Sequence, residues 1–203
     1  MTETATPPGQ PVLREMRWWD IEPVLELEKD LFPEDAWSRG MFWSDLAHAR
    51  GPEATRRYLV AVDRRRAGAG ADGDSGHDGA TGNGTGDGEG VVERIVGYAG
   101  LAAAGDLADV QTIAVARDHW GTGLGGRLLT ELLRAATAFE CAEVMLECRI
   151  DNVRAQKLYE RFGFEAIGFR RGYYQPGNVD ALVMRLTDPT TSVAGTQGTE
   201  THG

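Results

Sequence analysis

Residues 120–126 read Trp-Gly-Thr-Gly-Leu-Gly-Gly, placing four glycines in the six positions from Gly121. Before them runs Val110 to Val115, rich in β-branched and apolar residues, which reads as a strand. After them Leu124, Leu128, Leu129, Leu132, Leu133 and Ala136 recur on one face of a helix predicted from Gly123 to about Phe139. A strand, a glycine turn and an amphipathic helix in that order narrow the fold to a sheet covered by helices. They also put glycines where unpaired N–H groups collect at a helix N-terminus, next to the positive end of the helix dipole. Without a Cβ, such a loop can curl its N–H groups around a phosphate. A plain tight turn would use the same glycines, although four of them in so short a stretch favour the anion cradle.

Two phosphate motifs compete here. The P-loop is excluded, since no Gly-Lys-Ser/Thr follows. The dinucleotide pattern is met by Gly121, Gly123 and Gly126, with Glu147 about 20 residues further on as the ribose-binding acid, which would make the chain an oxidoreductase. Against it, the predicted strand stops well short of Gly121, and the repeated βαβ units of a doubly wound sheet are missing.

The rest of the chain organises around this segment. Val12 to Met16 reads as a short strand, and Asp20 as the cap of a helix with Ile21, Val24, Leu25 and Leu31 at core spacing, ended by Pro33. A second helix is expected around Met41 to Ala49, and strands at Arg57 to Asp63 and Glu93 to Ala102. Between those strands, residues 67–90 are mostly Gly, Asp, Ala and Thr with no large apolar side chain to offset the entropy of ordering, so a disordered loop insertion is expected. Downstream come a strand at Glu143 to Cys148, a helix capped by Asn152, strands at Phe164 to Phe169 and Ala181 to Leu186, and a loop holding Tyr173 and Tyr174. Hairpin strands first, then strands joined through helices, imply a mixed sheet of the α+β or α/β kind. Residues 1–10 and 187–203 read as disordered tails around one domain at 11–186.

The formal charge of -10 over 203 residues disfavours DNA and favours cationic acceptors such as amines. Cys141 and Cys148 are too few for a disulfide framework, and the four histidines are scattered without metal-ligand spacing, so no metal is expected. No secretion signal or membrane span is legible, which points to the cytoplasm.

Leu146-Glu147-Cys148-Arg149, then Asp151-Asn152, then Ala155-Gln156-Lys157-Leu158-Tyr159-Glu160-Arg161-Phe162-Gly163-Phe164 resembles the C-terminal half of the GNAT family of N-acetyltransferases. Gln111 to Val115 and Arg170-Arg171-Gly172-Tyr173-Tyr174-Gln175 extend the likeness, and Leu31-Phe32-Pro33 and Ala36-Trp37-Ser38 are similar to its Phe-Pro and Pro-Trp-Ser elements. The resemblance implies a mixed, mostly antiparallel sheet flanked by about four helices, and acetyl-CoA as cosubstrate. It implies that Ile113, Ala114 and Val115 bond the pantetheine arm, that Gly121, Thr122, Gly123, Leu124, Gly125 and Gly126 hold the pyrophosphate, and that Asn152 contacts the coenzyme. The acceptor it implies is a protein N-terminal α-amine, foremost the N-terminal alanine of ribosomal protein bS18. Other N-termini, lysines and small amines are the alternatives. Glu147 would then be the base that takes the amine's proton and Tyr159 the acid that protonates the CoA thiolate, with Tyr173 and Tyr174 as peptide-binding groups. One departure stands out: the family's loop opens with Gln or Arg and a second basic residue, and here those positions are Trp120 and Gly121. Arg117 and Arg127 are the nearest candidate helpers.

Overall fold

A computed structural model describes residues 10–66 and 91–191. Seven strands, β1 (Val12–Glu15), β2 (Arg56–Arg66), β3 (Val91–Ala104), β4 (Leu107–Val115), β5 (Glu143–Arg149), β6 (Glu165–Tyr174) and β7 (Val179–Thr187), form one sheet in the order β1-β2-β3-β4-β5-β7-β6. The helices are α1 (Ile21–Leu31), α2 (Arg39–Leu46), α3 (Leu124–Ala138) and α4 (Val153–Arg161), with 3-10 turns at Trp18–Asp20 and Arg117–His119. Every strand pairing is antiparallel except β4 with β5. A doubly wound sheet is built mostly of parallel strands, so with a single parallel pairing the dinucleotide alternative has no scaffold here. No described helix is long and apolar enough to cross a membrane.

Strand alternation sends side chains to two cores. On β2, Leu59 and Ala61 join the cluster under α3, while Tyr58, Val60 and Val62 join a second cluster with Ile21, Val24 and Leu25 of α1 and Phe42 of α2. All six apolar positions read from the α3 sequence are buried, so this helix is fixed to the sheet along its whole length. Its N-terminus, with the glycine loop, is thereby held at the end of β4.

Several boundaries move. β2 and β3 are longer than expected because they pair with each other as far as Arg66 and Val91. The chain therefore leaves and re-enters the sheet at one place, and the expected insertion at 67–90 lies outside the described residues, as do 1–9 and 192–203. Asp20 stands at the α1 N-cap without bonding it; its carboxylate takes both guanidinium nitrogens of Arg14, at 2.6 and 2.8 Å, and the Arg17 N–H at 2.7 Å. A bidentate charged partner outcompetes a helix N–H. Tyr173 and Tyr174, expected in a loop, end β6, whose ladder with β7 resumes at Tyr174 and Val179 after an irregularity. Trp37 packs on Phe42, but Trp18, Trp19 and Trp43 are exposed, with Trp18 stacked on Trp43 and edge-on to Trp19.

Candidate active site

β4 and β5 are hydrogen-bonded only from Leu107–Glu143 to Val110–Leu146. Beyond that point β4 stays with β3 up to Val115, and β5 stays with β7 up to Arg149. The cause lies in β4: Val110 faces Leu101 and Thr112 faces Gly100, so Gln111 is an extra residue in the ladder. A bulge bends its strand and swaps which side chains face which side. The two strands fork here, and among the described pairings none joins their facing edges past Val110. Backbone N–H and C=O groups along such an edge need partners, and a bound ligand can supply them.

The fork opens into a cavity of about 570 Å³. It brings together Ile113, Ala114, Val115, Gly121, Gly123, Leu124, Gly125, Gly126, Asn152 and Tyr159. Thr122 is in the same loop but does not line it, and its hydroxyl donates to the His119 carbonyl at 2.8 Å. Gly121 and Gly123 have φ of +79° and +83°, and Gly123 is the N-cap of α3 with no side chain bonded to the helix. A side chain at those φ values would cost about 1–2 kcal/mol. An added Cβ would meet nothing within 4 Å at either position, so backbone conformation and not crowding demands glycine. The uncapped first turn of α3 leaves its N–H groups for an anion.

The missing basic residue of the loop is replaced in space. Trp120 folds back so that its indole N–H donates to the Val115 carbonyl at 2.7 Å. Arg154, in the first turn of α4, lies 3.4 Å above its ring, and Arg117 lies 5.3 Å from it. Burial, then the charge of Arg117, lowers the pKa of Arg154, as expected for a guanidinium held near a like charge. Arg117, Arg149, Arg154 and Arg161 all line the cavity. Arg127 does not; it donates to the Pro11 carbonyl at 2.9 Å, behind α3. The sequence reading missed Arg154, whose only signal was its place two residues after the Asn152 cap, at the helix end facing the glycines.

A second cavity, of about 150 Å³, adjoins the first and shares Phe32, Ile113, Arg149, Asn152, Ala155 and Tyr159 with it. Its other walls carry Glu28, Asp35, Glu147 and Tyr174. Glu147 is largely buried, and its Oε1 meets Arg170 at 2.9 Å. Asp109 is pushed up to about 6 by burial and then by the charge of Glu147. Tyr159 is buried, packs on Phe164, and has no hydrogen-bond partner for its hydroxyl among the described residues. Burial, followed by Cys148 and Tyr174, raises its pKa and keeps it protonated. Asn152 uses its Oδ1 to cap α4 through the Ala155 N–H at 3.1 Å, which leaves its NH₂ as the group available to a ligand. Tyr174 donates to the Glu147 carbonyl at 3.3 Å, whereas Tyr173 is outside the cavity, edge-on to Tyr174. Cys148 is buried and pushed up to about 11, too high for a nucleophile at neutral pH.

The chain belongs to the acetyltransferase (GNAT) family, whose model matches residues 21–164. It is an acetyl-CoA-dependent N-acetyltransferase. Among its relatives is a putative [ribosomal protein bS18]-alanine N-acetyltransferase of Bacillus subtilis, 28% identical over 175 residues, 86% of this chain and 94% of that protein. The N-alpha-acetyltransferase RimI of Mycobacterium tuberculosis is 42% identical over 95 residues, 45% of this chain and 58% of its own length. The crystal structure of the ribosomal-protein-S18-alanine N-acetyltransferase from Escherichia coli matches with a TM-score of 0.59 at 23% identity, over 87% of this chain and 92% of that one.

Proposed function

We propose that this enzyme acetylates the N-terminal α-amine of a protein, with the N-terminal alanine of ribosomal protein bS18 as its foremost acceptor, in the cytoplasm and without a metal. The observation that carries the reading is the pair of joined cavities of opposite charge. Four arginines against one carboxylate, Asp151, line the larger, which suits the phosphates of acetyl-CoA, and Glu28, Asp35 and Glu147 against one shared arginine, Arg149, line the smaller, which suits an ammonium. They meet at Tyr159. The names of the Bacillus and Escherichia relatives support bS18 as the acceptor. The domain in this reading spans residues 11–186, with 67–90 as an insertion.

In the proposed reaction the coenzyme lies along the fork, its pantetheine on Ile113, Ala114 and Val115 and its pyrophosphate on the Gly121 to Gly126 loop. Because the Val115 carbonyl is held by Trp120, a contact at that residue falls on its N–H, which in this reading also steadies the oxyanion. Glu147 takes one proton from the ammonium, directly or through water. The freed amine attacks the thioester carbon; a C–N bond forms and the C–S bond breaks. Tyr159 gives its proton to the departing thiolate and is restored by the second proton lost from the amine. Tyr173 and Tyr174 flank the peptide's path.

The test is incubation with acetyl-CoA and a synthetic peptide carrying the bS18 N-terminus, beside an α-blocked, lysine-containing control, read by mass. The free α-amine peptide is expected to gain one acetyl group. Acetylation of the lysine peptide alone would reassign the acceptor.

A further inference from the structure

Glu28 is 2% exposed, yet it takes no part in the chemistry above. It sits in the last turns of α1, where the apolar face of the helix would accept a Leu. Its Oε1 accepts the Trp37 N–H at 2.9 Å, which ties the chain after Pro33 back to the helix. Its Oε2 is buried with no hydrogen-bond partner, and the residue lines the smaller cavity together with Glu147 and Tyr174. A buried carboxylate oxygen left unpaired carries its full desolvation penalty with nothing to offset it. Fixing the loop needs one oxygen; a Gln would do it without burying a charge. The second oxygen is explained by a donor that arrives with the substrate.

We propose that Glu28 is an acceptor-binding residue whose free Oε2 receives the α-ammonium of the acceptor's first residue in the cavity that Glu147 also lines. This rests on the reading that the smaller cavity takes an amine. Burial, with a further contribution from Asp35, pushes Glu28 up to about 7, against the Trp37 N–H, so it can take up a proton when the cavity is empty and become charged when a cation enters.

The experiment compares the wild type with Glu28→Gln, in the presence of CoA, for binding of two peptides: the acceptor peptide and its des-amino analogue, which lacks the α-amino group. Gln keeps the carbonyl that accepts from Trp37 and replaces only the free oxygen. The wild type is expected to prefer the amine at least about tenfold, and the variant to lose most of that preference, with an unchanged Kd for acetyl-CoA and an unchanged or higher Tm. A role confined to shaping the loop would weaken both peptides alike and overturn the proposal, as would an undiminished preference. Glu28→Asp, which retracts the charge by one methylene, should restore part of the preference. If the wild type acetylates the amine peptide while Glu28→Gln binds it equally well, the assignment of Glu28 fails and the function stands. If the wild type neither binds nor acetylates it, both fail.

Discussion

Replacing Glu147 by Gln removes the proposed base while preserving its shape. Glu147 is paired through Oε1 with Arg170 at 2.9 Å, and Arg170 is itself more than half exposed, so the freed cation rehydrates and the fold loses no more than about 1 kcal/mol. Catalysis should lose far more. A positioned general base contributes about 10²- to 10⁴-fold, or about 3–5 kcal/mol in the barrier. At pH 7 roughly a tenth of an α-amine with its ordinary pKa is free, so solvent deprotonation can restore at most about tenfold of that loss. At saturating peptide, kcat of Glu147→Gln should therefore fall about 10²-fold or more at pH 7, and the deficit should narrow by about tenfold towards pH 9.5. The Kd for acetyl-CoA, measured by calorimetry, should stay within about twofold, because Glu147 lines only the smaller cavity. A kcat at pH 7 within twofold of wild type would refute the assignment, and a deficit independent of pH would separate Glu147 from proton removal.

Arg154→Ala should weaken acetyl-CoA about tenfold by calorimetry, since the proposed charged contact to phosphate and the stack on Trp120 are both lost, while Arg127→Ala leaves that Kd unchanged. Asp109→Asn tests the pH dependence of stability. A carboxyl raised from its ordinary 3.8 to about 6 in the folded state holds a proton that the unfolded chain has released, so its neutral form favours folding below about pH 4 and that contribution is lost as the pH rises to about 6. The variant should melt at a higher temperature than wild type at pH 7 to 8, and the difference should vanish near pH 4.

Much of the fold was legible in local patterns. The six apolar positions of α3, the Asn152 cap and the Pro33 stop are each set by neighbours within a few residues, and each appears where its pattern puts it. The strand ends were less legible, because β2, β3 and β6 extend as far as a partner strand continues their ladder. Trp18 and Trp43 show the same limit: apolar character marks a side chain that gains from burial, but only the packing of α1 and α2 decides which faces are covered.

The glycine loop divides along the same line. From the sequence alone came its place between strand and helix, its fitness for a phosphate, and, through the resemblance, the register of Glu147, Asn152 and Tyr159. The tertiary structure alone decided that Gln111 bulges and forks the sheet, that Arg154 crosses from α4 to cover Trp120, and that Glu28 of α1 lines the smaller cavity. Residues 28, 111 and 154 lie far apart in the chain, and no local pattern encodes a contact whose energy exists only after the sheet has closed around it.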